Sequence, residues 1–159
     1  MAATVGFEVS FGQLAVFASS LKQPFNDWTD QHVAQGFAWR PGSVSFRSLV
    51  ETGRHSVEIE VANHVGEVHR EAIRVIEVPF EIPAGGAVEV GSIADTVPLS
   101  LPSGSFLLRC EFLRSGGTGN ERVRLTFAKH DAPHFAIICA DPALSPGREL
   151  LKTAQSAPG

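Results

Sequence analysis

The 159-residue sequence lacks most of the residue patterns that mark a chemistry. It has two cysteines, one methionine and no tyrosine. Two cysteines make no zinc site by themselves. Cys110 and Cys139 both lie inside apolar runs, where free, buried thiols are expected. Cys110 falls in the middle of a strand pattern on its apolar side, a poor place for a reactive thiolate. There is no Gly-x-Ser-x-Gly elbow and no glycine loop ending in Lys-Ser/Thr, so neither a serine nucleophile nor a phosphate loop is indicated. No window approaches the roughly 20 apolar residues of a membrane helix. Met1 to Ser10 has neither a positive region nor a long apolar stretch, so no signal peptide is read there and a cytosolic location is expected. Positive charge is also short: 13 Lys and Arg stand against 17 Asp and Glu, giving a net charge of −4. A basic nucleic-acid surface is therefore not expected, and neither is a membrane partner.

What is present is a globular composition, 43% hydrophobic against 19% charged, in a length suited to one domain. The dominant pattern has period two. Val57, Ile59 and Val61 alternate with Glu58 and Glu60. Phe106, Leu108, Cys110 and Phe112 alternate with Arg109 and Glu111, and Val123, Leu125 and Phe127 with Arg122 and Arg124. Each run reads as a strand with one wet face. Further strands are expected at 5–9, 13–18, 43–50, 73–80, 87–93, 97–101 and 135–140. Turn chemistry separates them at Pro83–Gly86, at Leu101–Gly104 and at a hairpin tip over Ser115–Asn120. His64 and His69 are placed on either side of another hairpin turn. Pro79 suits an edge or strand-end position. Short strands with such punctuation predict an all-β fold, a jelly-roll-like antiparallel β-sandwich of eight to ten strands. One short helix is inserted after the first strands, over Asp27–Gly36, capped by Thr29 or Asp27 and closed by Gly36. The expected organisation is a sandwich over residues 1–141 and a C-terminal extension over 142–159, partly disordered.

Candidate chemistry is sparse. Asp27, Asp30 and His32 are close enough to suggest a metal site or an acid–base pair, and so are His130 and His134. Helix capping with a solvated His32, and a loop histidine pair, account for them more simply. No catalytic residue, metal ligand or cofactor is assigned. Two features suit protein binding instead. The aromatics Phe25, Trp28, Phe37 and Trp39 fall in sequence without a strand pattern, and Arg40 follows Trp39; Trp and Arg are common interface anchors. The glutamates Glu51, Glu58, Glu60, Glu67, Glu71, Glu77, Glu81 and Glu89 suggest solvated strand faces, and a negative face can steer a basic partner.

An ordered series of motifs resembles the competence protein J, or DNA-entry nuclease inhibitor, family. The series begins with Gln13-Leu14-Ala15-Val16-Phe17, then Asp27-Trp28-Thr29-Asp30, Gly36-Phe37 and Gly42-Ser43-Val44-Ser45-Phe46. It continues through Val78-Pro79-Phe80, Gly86 and Ser92-Ile93 to Leu101-Pro102-Ser103-Gly104 and the strand Ser105–Cys110. It spans residues 10 to 112. The resemblance implies a non-enzymatic inhibitor that binds and occludes a bacterial DNA-entry type nuclease, a competence- or immunity-related protection of its cell. A nuclease toxin of a toxin–immunity pair is a variant partner. Asp27, Trp28, Asp30, Phe37, Trp39 and Arg40 are the candidate partner-binding residues. The alternative is a small-ligand or carbohydrate-binding sandwich that stacks sugars on Trp28 and Trp39.

Overall fold

The computed structural model describes residues 2–115 and 119–158. The proposed hairpin tip at 115–120 therefore lies partly outside the described residues. Among those described, eleven strands and one helix are formed. The order is β1 (Ala2–Val9), β2 (Gln13–Ala18), α1 (Asp30–Gln35), β3 (Phe37–Arg40), β4 (Ser43–Arg47), β5 (Gly53–Ala62) and β6 (Ala72–Ile82). Then follow β7 (Ala87–Ser92), β8 (Asp95–Ser100), β9 (Gly104–Leu113), β10 (Asn120–Lys129) and β11 (Ala136–Cys139). They build a 6-stranded sheet, β1-β5-β10-β9-β6-β11, and a 5-stranded sheet, β3-β4-β2-β7-β8.

The alternation seen in the sequence fills the space between the two sheets. Val57 and Ile59 of β5, Ile76, Val78 and Phe80 of β6, Phe106 to Phe112 at every second place of β9, and Val123, Leu125 and Phe127 of β10 meet Leu14, Val16, Val44, Phe46, Val88 and Val90 from the smaller sheet. A sandwich forms because each sheet can hide only one face by itself. Phe37 and Trp39 were read as lying outside any strand. They instead belong to β3, whose four residues pair with β4 at the edge of the smaller sheet.

One strand pair departs from the antiparallel expectation. β10 runs parallel to β5, with Val123 opposite Val57 and Leu125 opposite Ile59. Consequently β5 and β6 are not hairpin partners. β10 and β9 lie between them, and the 63–71 segment that holds His64 and His69 crosses the outside of the sheet. That crossing buries what the alternation assigned to solvent. Glu111 has no exposed surface, and Arg109 and Glu77 are also buried. Arg109 donates to Glu77 at 2.8 Å and to the carbonyls of Val65 and Gly66. Glu111 accepts from Arg124 and from the His69 amide. Glu77 also pairs with His134 at 2.8 Å. The outer face of the larger sheet is thus dry along β6 and β9, while Glu58 and Glu60 of β5 stay exposed as the alternation expects. Its buried charges are paired, as burial requires.

The smaller sheet is covered by the 19–28 segment. Its outward positions on β2, β3 and β4 include Ala15, Ala38, Ser43 and Ser45, all buried, and these small side chains let the covering chain come close. Asn26 donates to the carbonyls of Ala38 and Ser43, and Phe25 meets Phe17 edge-on. The residues after Asp141 lie along this segment and α1. Ser156 bridges to Asn26, the Asp27 amide donates to the Gln155 carbonyl, and Leu144 is buried. Pro79 sits where β6 runs past the short β11, beyond its last pairing at Glu77 with Ala136, so it has no ladder partner on that side to lose.

Candidate functional site

The helix is a single short element, and its ends are tied down. Thr29 is the N-cap. Its hydroxyl accepts from the His32 amide while its own amide donates to His32 Nδ1 at 3.0 Å. This is a capping box in which histidine replaces the usual Glu or Gln. Because Nδ1 accepts, Nε2 carries the proton and donates to the Thr153 carbonyl at 2.9 Å. His32 was expected in solvent. It is 2% exposed because the C-terminal residues close over it. Gly36 closes the helix at φ 89, a conformation glycine adopts without a Cβ penalty. The Gln35 side chain joins helix, β3 and tail through the Phe37 and Leu151 carbonyls and the Leu151 amide.

The six proposed partner-binding residues do not form one patch. Phe37 is fully buried and stacks on Phe135 at 6.0 Å, so it has no surface to offer. Its alternation with Trp39 is a strand pattern. Trp39 is half-buried, donates from its indole to the Pro79 carbonyl at 2.7 Å and packs edge-on against Phe135. It lines a depression with Pro41 and Pro133. Arg40 is held by Asn26 Oδ1 at 2.7 Å and by the Gln23 carbonyl, and burial lowers its pKa. Asp27 and Asp30 are exposed, and Trp28 between them is half-buried. The two tryptophans line different cavities.

Trp28 opens onto a cavity of about 380 Å³ between α1, the β1–β2 corner and the chain after β4. Phe11, Val33, Arg47, Leu49 and Glu51 also line it. Phe11 is 70% exposed and Val33 40% exposed. Arg47 is anchored by Nη1 to the carbonyls of Val33 and Ala143. From beneath, Arg74 reaches across the sandwich from β6 and donates to the Arg47 and Ser48 carbonyls and to both oxygens of Asp141. Two buried atoms of lining residues, Gln13 Oε1 and Trp28 Nε1, have no hydrogen-bond partner.

Sequence reading missed Phe11, Val33 and Arg47, and named Glu51 only among the glutamates of a negative face. A signal existed for one of them: Phe11-Gly12 separates two strand runs, and a bulky aromatic is out of place in so short a turn. Among the described residues no group of three or more His, Cys, Asp or Glu is arranged to hold a metal ion.

The profile of the Competence protein J (ComJ) family matches residues 6–128, farther along the chain than the motif series that ends at 112. A curated protein of Bacillus subtilis (strain 168), "DNA-entry nuclease inhibitor", is 26% identical over 102 residues, which is 64% of this chain and 75% of that protein. The crystal structure of ComJ from Bacillus subtilis, described as an inhibitor of the DNA-degrading activity of NucA, superposes with a TM-score of 0.66 at 20% identity. It covers 82% of this chain and 99% of that one. A second structure, described as crocagin biosynthetic gene J, has a TM-score of 0.54 at 13% identity, over 82% and 98% of the two chains.

Proposed function

The chain belongs to the Competence protein J family, and from that premise we propose that it binds a DNA-entry type nuclease and blocks its access to DNA. The observation that carries this reading is the family match across residues 6–128 together with the curated relative named as a DNA-entry nuclease inhibitor. Inhibition is by occlusion, without chemistry of its own. A nuclease groove that holds phosphates is positive, so a protein of net charge −4 is drawn to it and competes with the polyanion it cuts. We place contact on the face around α1, where Asp27 and Asp30 are exposed beside Trp28. Phe37 is left out because it is buried. The inhibitor acts in the cytosol, where it protects its own cell's DNA; no helix among the described residues is long and apolar enough to cross a membrane.

The test mixes the purified chain with the DNA-entry type nuclease of its own organism and follows cleavage of double-stranded DNA and complex formation by gel filtration. A stoichiometric complex and loss of cleavage are expected. Undiminished cleavage with no complex refutes the reading. Association should slow at raised salt, because exposed charges are screened within about 8 Å at physiological ionic strength.

A further inference from the structure

The connection between β1 and β2 is the place where the chain leaves one sheet for the other. Ser10 and Gln13 bridge across it, and only Phe11 and Gly12 lie between them. Both have positive φ, 55° and 65°. That is the pattern of a type I′ turn, which favours Asn, Asp or Gly at its first central position. Phe11 is the one non-glycine with positive φ among the described residues. An L-residue there brings Cβ against its own carbonyl, and burial does not compensate, because the ring is 70% exposed. Local strain retained at an exposed aromatic points to a use outside the fold.

The surroundings of Phe11 say what that use is. Its ring stands at the mouth of the cavity lined by Trp28, Val33 and Leu49. Val33 and Asp30 are three apart on α1 and so share a helix face. Asp27, Asp30 and Glu51 are all exposed. The cation in the lining, Arg47, already donates to two carbonyls. The result is a depression of mixed apolar and polar lining in which Glu51 faces one cation, Arg47, with the exposed carboxylates of Asp27 and Asp30 on the adjoining chain beside Trp28 and Val33.

We propose that Phe11 and the Trp28–Val33 cavity beside it form the docking site for a protein segment that carries an apolar side chain among lysines or arginines. The segment belongs to the DNA-binding surface of the nuclease, so this inference rests on the inhibitor reading. Phe11 is the anchor of the contact: a rigid aromatic presented at little further cost in entropy, with the exposed carboxylates of Glu51, Asp27 and Asp30 setting the sign of the partner.

The experiment compares wild type, Phe11→Asn, Phe11→Leu and Glu51→Lys against the DNA-entry type nuclease of the same organism, by binding kinetics, inhibition of DNA cleavage and thermal melting. Asn suits the turn, so Phe11→Asn should melt about 2–4 °C higher than wild type while its Kd rises about 30-fold, the size of an interface hot spot. Phe11→Leu keeps an apolar side chain and should retain most of the affinity. Glu51→Lys should mainly slow association and flatten its salt dependence. If wild type inhibits and Phe11→Asn inhibits equally, the docking site is wrong and the inhibitor reading stands. If Phe11→Asn melts lower with affinity unchanged, Phe11 is a structural residue and the proposal falls. If wild type itself neither binds nor inhibits, the inhibitor reading fails first and takes the docking site with it.

Discussion

Replacing Asp141 by alanine isolates the ion pair that supports the cavity. Arg74 is 1% exposed at an inner-face position of β6. Its guanidinium donates to the two Asp141 oxygens at 2.7 and 3.0 Å and to the carbonyls of Arg47 and Ser48. Asp141→Ala leaves a buried cation with dipoles alone, which costs about 3–5 kcal/mol. That is a large part of the roughly 5–15 kcal/mol that holds a domain together. At about 2–4 °C per kcal/mol for a chain of this size, Tm should fall by about 6–20 °C. Arg74→Met combined with Asp141→Leu removes both charges and should cost much less than Asp141→Ala alone. The pH dependence gives a second readout. Burial pushes the Asp141 carboxyl up, but the hydrogen bonds and charge of Arg74 outweigh it and hold the pKa below its ordinary value. A carboxyl depressed in the folded state contributes fully above its unfolded pKa of about 3.9 and loses that contribution as pH falls through the folded value. The gap between wild type and Asp141→Ala should therefore narrow in acid. Urea unfolding at pH 7 and pH 3 measures it. A difference under about 0.5 kcal/mol at pH 7, or a gap unchanged at pH 3, refutes the argument.

Acid should also act through His55, which is fully buried. Burial lowers its pKa, and the Gly53 carbonyl, Glu121 and Glu8 only partly oppose this. Its contribution is complete above the unfolded pKa of about 6.5 and declines as pH falls from there toward the folded value; His55→Gln should lose that slope in pH-dependent melting, and parallel curves would contradict it. Thiol labelling should separate the two cysteines. Burial, with Glu111 adding to it, raises the Cys110 pKa well above its ordinary value, while Cys139 is only half-buried, so one thiol should react in the native protein and the second only in denaturant. Equal rates would count against the burial assigned to Cys110. Gly86 has φ 74 and a Cβ there would strike the Leu101 carbonyl oxygen, whereas Gly85, at φ 90, has open space around it. Gly86→Ala should cost more than about 2 kcal/mol and Gly85→Ala about 1 kcal/mol; equal denaturation midpoints would overturn the distinction.

The sequence by itself determined the strands other than β3, and their inner faces. Alternation is a local property, and Val57-Ile59, Phe106-Phe112 and Val123-Phe127 point inward because a strand turns every second side chain the same way. The helix ends were equally local, since Thr29 and Gly36 meet the needs of one turn of backbone. The ordered motifs carried the family. Tertiary structure alone decided what lies on the outside of each sheet. Glu77, Arg109 and Glu111 read as solvated, yet the parallel pairing of β5 and β10 sends the 63–71 segment across them. His32 read as solvated until the tail placed the Thr153 carbonyl on it. Phe37 and Trp39, two residues apart, went to the core and to a rim because β3 is an edge strand beside the 130–135 loop. The cavity is the clearest case: Phe11, Trp28 with Val33, and Glu51 come from three separated stretches of chain. No periodicity relates them, and only the chain's turn from one sheet to the other at Phe11 brings them to one mouth.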